Sequence, residues 1–155
     1  MNSLPLAEIG GVTVTLSELV ATENTLKVKA AAVPNEVTER LDAKYHAAFR
    51  RWADQRSVAG SEDVLPPPPR QPAELLLALQ VSVTDDIGTD YALVSRQAGG
   101  TGTDWDAEWT FRPTVPAGAS EVTLAAIGTP LPPIRLAATG LRREPTADAS
   151  GREEL

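Results

Sequence analysis

Polar and apolar positions alternate along most of this chain. Val12, Val14 and Leu16 alternate with Thr13, Thr15 and Ser17, the period of two that marks a half-buried strand. Leu19 and Ala21 continue on the opposite parity. A one-residue slip flips a strand's faces, so a bulge is expected near Ser17–Glu18. Glu23-Asn24 reads as a tight turn into Leu26, Val28 and Ala30, which complete a hairpin. The period then changes. Pro34 ends the β pattern and Asn35 is a helix cap, with a helix predicted from Glu36 to about Arg56. Its apolar positions Leu41, Tyr45, Ala48, Phe49 and Trp52 fall within about 120° of arc at helical spacing. Ser57–Asp63 is expected as loop, and Pro66–Pro69 with Pro72 as an extended, stiff spacer.

The second β block is predicted to start in the leucine run. Leu75, Leu77, Leu79, Val81 and Val83 share one parity. Asp86-Ile87-Gly88 reads as a three-residue hairpin loop with Gly88 left-handed, pairing Asp85 with Thr89, Val83 with Tyr91 and Val81 with Leu93. Ala98–Thr103 is expected as a glycine-rich loop. Trp105, Ala107, Trp109 and Phe111 alternate strictly with Asp106, Glu108, Thr110 and Arg112, the clearest strand of all. Val122, Leu124 and Ala126 form the next strand, and Ile134–Leu141 the last. The expectation is a mainly β fold, an immunoglobulin-like antiparallel β-sandwich of about seven strands with one inserted α-helix. A barrel is the alternative. Residues 1–141 would form one domain, with the helix and proline segment inserted at 34–72, and residues 142–155 a disordered tail.

The run Asp85-Asp86-Ile87-Gly88-Thr89-Asp90-Tyr91 is followed by Phe111-Arg112-Pro113-Thr114-Val115-Pro116 and Val122-Thr123-Leu124. This pattern resembles one in uncharacterised bacterial Ig-like β-sandwich proteins. The resemblance covers about residues 12–33 and 78–138, implies the sandwich fold, and carries no catalytic residues. The helical insertion has no counterpart in it.

Composition narrows the chemistry. The 155 residues contain no cysteine and one histidine, which excludes disulfides, a thiolate metal site and a multi-histidine centre within one chain. The net charge of -7 argues against nucleic acid and anionic membrane as partners. No apolar run approaches the roughly 20 residues of a membrane span, and no signal-peptide pattern opens the chain, so a cytoplasmic location is expected. Eleven arginines against three lysines fit a GC-rich bacterial genome.

Each candidate constellation has a plain structural reading beside it. His46, with Asp42 and Arg50 four residues away on either side, reads as a surface charge ladder. Gly99-Gly100-Thr101-Gly102-Thr103 lacks the lysine of a phosphate loop and precedes a strand. Residues 74–141 hold eight acids against three arginines. Asp85, Asp86 and Asp90 at one turn, and Asp104 and Asp106 at another, would hold calcium only if the two turns met. A carboxylate hydrolase would need facing acids in a cleft. Trp105 and Trp109 share a face; buried they anchor a core, exposed they would stack on sugars. The helix carries three of the chain's seven aromatics, Tyr45, Phe49 and Trp52, flanked by Arg40, Lys44 and Arg51. It either closes an open part of the sandwich or presents a binding surface. The leading expectation is a non-enzymatic protein-interaction or assembly module that binds a protein partner or itself. The alternative is a carbohydrate-binding module using Trp105 and Trp109. No metal, cofactor or catalytic residue is expected.

Overall fold

The computed structural model describes residues 4–58, 60 and 66–144. Among the described residues nine strands form two sheets. Strands β1 (Leu4–Ile9), β2 (Val12–Ala21), β3 (Leu26–Ala32), β5 (Ala92–Thr101) and β6 (Asp104–Arg112) build the larger sheet in the order β1-β2-β3-β6-β5. The short β9 (Arg142–Arg143) adds to it, parallel to the end of β2. Strands β4 (Gln80–Asp85), β7 (Glu121–Ile127) and β8 (Ile134–Ala137) form the smaller sheet. The β-sandwich with one long helix, α1 (Glu36–Val58), is therefore present.

Alternation decides which face of each strand is buried. Val28 pairs with Trp109, Leu26 with Phe111 and Ala30 with Ala107, so large residues sit beside large and small beside small. All six are buried, and they share one core with Val83, Val122, Leu124 and Ala126 of the smaller sheet. The bulge in β2 lies between Leu16 and Glu18, as the parity slip requires. The turn after it closes through Thr22 N–H donating to the Thr25 carbonyl at 2.8 Å.

Several expectations fail for identifiable reasons. β1 lies before the predicted first strand; Gly10 and Gly11, at φ +56° and +85°, form the tight turn that joins it to β2. The leucine run is not strand. Pro72–Ala78 is a 3₁₀ helix, and β4 starts at Gln80. Pro72 suits the first helical position, and the Glu74 carboxylate accepts the Gln71 N–H at 2.8 Å. Leu76 and Leu79, three residues apart, are both buried, a helical spacing inside what also reads as alternation. This short helix packs against β5 and β6 and lends Ala73 and Leu76 to the core. It supplies apolar cover for a sheet wider than its three-stranded partner.

The expected hairpin across Asp86-Ile87-Gly88 is a crossing between sheets. Val83 pairs with Leu124, and Leu93 with Phe111, so β4 and β5 do not pair and lie in different sheets. Gly88 is left-handed, at φ +79°. The glycine-rich segment is mostly strand: β5 runs to Thr101, which pairs with Asp104 across a two-residue turn. The last strand is split, with β8 ending at Ala137, a 3₁₀ turn at Ala138–Gly140, then β9. Arg142 and Arg143, assigned to the tail, are thus part of the larger sheet, and the Arg142 guanidinium pairs with Glu18. Residues 145–155 of that segment lie outside the described residues, as do 59 and 61–63 of the predicted loop and the next two residues, 64 and 65.

Candidate functional site

Helix α1 begins where sequence chemistry puts it. The Asn35 side-chain oxygen accepts the Thr38 N–H at 3.0 Å, and Thr38 Oγ1 accepts the Asn35 N–H at 2.8 Å. This reciprocal cap satisfies donors that the first turn leaves free. Asn35 Nδ2 also donates to the Gly11 carbonyl, which fixes the helix start to the β1–β2 turn.

The helix divides into two parts. In its first turns Thr38 is fully buried, and Val37 and Leu41 pack against the core. Beyond Leu41 nothing on it is buried. Tyr45, Ala48 and Trp52 are half-buried, and Phe49 is 39% exposed. The aromatic stripe holds together locally: ring centres are 5.9 Å apart for Tyr45–Phe49 and 5.5 Å for Phe49–Trp52. The Arg56 guanidinium lies 5.4 Å from the Trp52 ring centre, on the cation–π scale.

The proline segment is a wall rather than a spacer. Trp52 Nε1 donates to the Pro66 carbonyl at 2.9 Å. Further along, Pro69, Arg70, Gln71 and Pro72 lie across a groove from Leu41, Lys44, Tyr45 and Ala48. The strap therefore runs antiparallel to the helix. Their lengths match: six extended residues from Pro66 to Pro72 span about 19 Å, and eleven helical residues from Leu41 to Trp52 about 16 Å. The groove between them holds about 420 Å³ and continues to Glu74 and Leu75.

Arg40, Lys44 and Arg51 are exposed, and none forms an ion pair among the described residues. Arg70, on the strap, shares both properties. The residues sequence reasoning missed are those of the strap: Pro69, Arg70, Gln71 and Pro72. The match between proline-run length and stripe length was the available signal.

The other constellations separate from function or dissolve. The His46 ring is mostly exposed, with Nε2 3.2 Å from Asp42 Oδ1, the expected surface pair. The pair does overlook the β5–β6 turn, and together with Gly100, Thr101, Gly102 and Trp105 it lines a cavity of about 230 Å³. No hydrogen bond joins His46 to Thr101 among the described residues.

The acidic turns lie at opposite ends of β5–β6, since Ala92 pairs with Arg112 and Thr101 with Asp104. No group of three metal-ligating side chains occurs among the described residues. Asp85 instead accepts from Ile87 N–H, Thr89 N–H and the Tyr91 hydroxyl at 3.0–3.1 Å and 2.8 Å. Burial pushes its carboxyl up, but these hydrogen bonds outweigh that and hold it below the usual range. The Ser120 hydroxyl and the Glu121 N–H hold Asp86 at about 2. Burial and the Asp85 carboxylate push the Tyr91 phenol above its usual range. The Asp-Asp-Ile-Gly-Thr-Asp-Tyr run is thus the fastening of the chain's crossing between sheets.

Trp105 and Trp109 are 2% and 1% exposed. Neither can offer a ring face to a sugar in this fold. Trp109 Nε1 is buried without a partner. Among the described residues no helix is long and apolar enough to cross a membrane. None of the protein families, curated proteins or solved structures compared with this chain matches it.

Proposed function

We propose that this protein is a non-enzymatic interaction module of bacterial origin, working in the cytoplasm, whose docking surface is the outer half of α1 with the proline strap. The observation that supports this reading is the half-exposed stripe of Tyr45, Phe49 and Trp52, which ordinary folding would bury. Aromatic and arginine side chains contribute most at protein interfaces, and Arg40, Lys44 and Arg51 border the stripe. The likeness to Ig-like sandwich proteins fits a scaffold that presents a surface. The sandwich keeps its own aromatic residues for the core and leaves those of the helix outside.

The test is light scattering of the wild type beside a variant carrying Phe49→Asp and Trp52→Asp. On this reading the variant stays folded by circular dichroism and loses whatever oligomer the wild type forms, or the binding of an identified partner. A monomeric wild type together with an unfolded variant would place the stripe in the core and defeat the reading.

A further inference from the structure

The groove between α1 and the strap has an uneven charge. Its floor is apolar, formed by Leu41, Tyr45, Ala48, Pro69 and Leu75. Lys44 and Arg70 stand at its rim, and Arg40 and Arg51 extend the same flank of the helix. At 100° per residue Arg40, Lys44 and Arg51 project within about 40° of one another. Among the described residues the one acid in the lining is Glu74, and its carboxylate accepts the Gln71 N–H. Two cations at the groove, Lys44 and Arg70, and two beside it on the helix, Arg40 and Arg51, thus have no ion-pair partners among the described residues, on a chain whose net charge is -7. No carboxylate among the described residues forms an ion pair with any of the four.

We propose that this groove binds an acidic peptide segment that carries apolar anchors. The proposal rests on reading α1 as a docking surface, and it names the chemistry of the partner. Three observations select this occupant. Arg40 and Arg51 are eleven helical residues apart, about 16 Å. A single carboxylate, as on a fatty acid, cannot meet cations spread over that distance, whereas acids spaced along a peptide can. A volume of about 420 Å³ falls in the range of roughly 300–1,000 Å³ that accepts a ligand-sized apolar group, here two or three side chains. The proline wall has no N–H donors at Pro66–Pro69, so it contributes apolar surface and leaves recognition of charge to the cations.

The experiment selects binders from a random ten-residue peptide library on the full chain, then measures the enriched peptides by fluorescence anisotropy. The expected consensus combines acids with one or more large apolar residues. Binding should weaken as salt rises. Lys44→Glu with Arg70→Glu should weaken it by roughly tenfold or more, since charge pairs are replaced by repulsion. Lys27→Glu, outside the groove, should leave it within about twofold once its long-range effect is screened by salt. A basic consensus, no enrichment, equal binding by an all-glutamate peptide, or an equal loss with Lys27→Glu would each overturn the proposal. Displacement by octanoate at lower concentration than by the peptide would also overturn it, in favour of a small amphiphile. If the peptide fails while the folded Phe49→Asp, Trp52→Asp variant loses an oligomer, the docking surface stands and only this occupant falls.

Discussion

Gly100 is the position where backbone geometry leaves least freedom. Its φ is +142°, and a Cβ built on it would lie 1.9 Å from the Asp104 carbonyl oxygen and 3.1 Å from the Trp105 Cα. These are backbone atoms and cannot rotate away. Relief requires the end of the β5–β6 hairpin to open, with loss of the Gly100–Trp105 and Thr101–Asp104 pairings. Losing two hydrogen bonds costs about 1–3 kcal/mol, and an unfavourable φ adds about 1–2 kcal/mol. Gly100→Ala should therefore destabilise by roughly 2–5 kcal/mol. Two neighbours are internal controls. Gly102 has φ +59° with nothing within 4 Å of a Cβ, so Gly102→Ala carries only the conformational cost, about 1 kcal/mol. Gly99 has open space and no positive φ, so Gly99→Ala should be neutral or slightly stabilising. Urea unfolding followed by tryptophan fluorescence gives all three free energies. Equal costs for Gly100→Ala and Gly102→Ala would refute the close approach and with it the hairpin register.

Trp109→Ala should cost about 3–5 kcal/mol, seen as a melting temperature lower by roughly 6–20 °C; a drop under about 2 °C would contradict its burial. Gly88→Val should cost about 1 kcal/mol or more through its positive φ, with nothing within 4 Å of its Cβ, checked by thermal melting. Asp86 has a folded pKa of about 2 against 3.8 for the free carboxyl, so near pH 3 the unfolded chain binds more protons. Its contribution is therefore complete above pH 3.8 and is lost as pH falls through about 2. Asp86→Asn should be less stable than the wild type at pH 7, and the gap should close on acidification through that window.

The sequence made the strands with one wet face legible. β6 alternates polar and apolar residues through its whole length, and the parity slip in β2 placed its bulge near Ser17–Glu18, where the register shifts between Leu16 and Glu18. The helix was equally clear, because Asn35 announces its start and a 3.6-residue period cannot be mistaken for a period of two over six turns. The leucine run was not legible: with Leu75, Leu76 and Leu77 all apolar, the spacings of a strand and of a 3₁₀ helix coincide, and Pro72 decided the outcome. Nor was strand partnership. Val83 and Leu93 suit each other as neighbours, yet each has a better partner 18 or more residues away, Leu124 and Phe111. At the candidate site the helical half was read from periodicity alone. The strap half was missed because four prolines say that a segment is stiff and extended, but not what it lies against.

Thermal denaturation of Phe49→Asp decides whether the outer half of α1 is a surface. Trp52 is tied to Pro66 and Tyr45 faces the strap, but Phe49 is the exposed member of the stripe and has no hydrogen bond to lose. If the outer half of α1 is a surface, the variant loses only the ring contacts to Tyr45 and Trp52, about 1–2 kcal/mol at a half-exposed site, and should melt within about 6 °C of the wild type. A fall of 10 °C or more would show that Phe49 is buried in the chain's own core, and the docking surface would be gone.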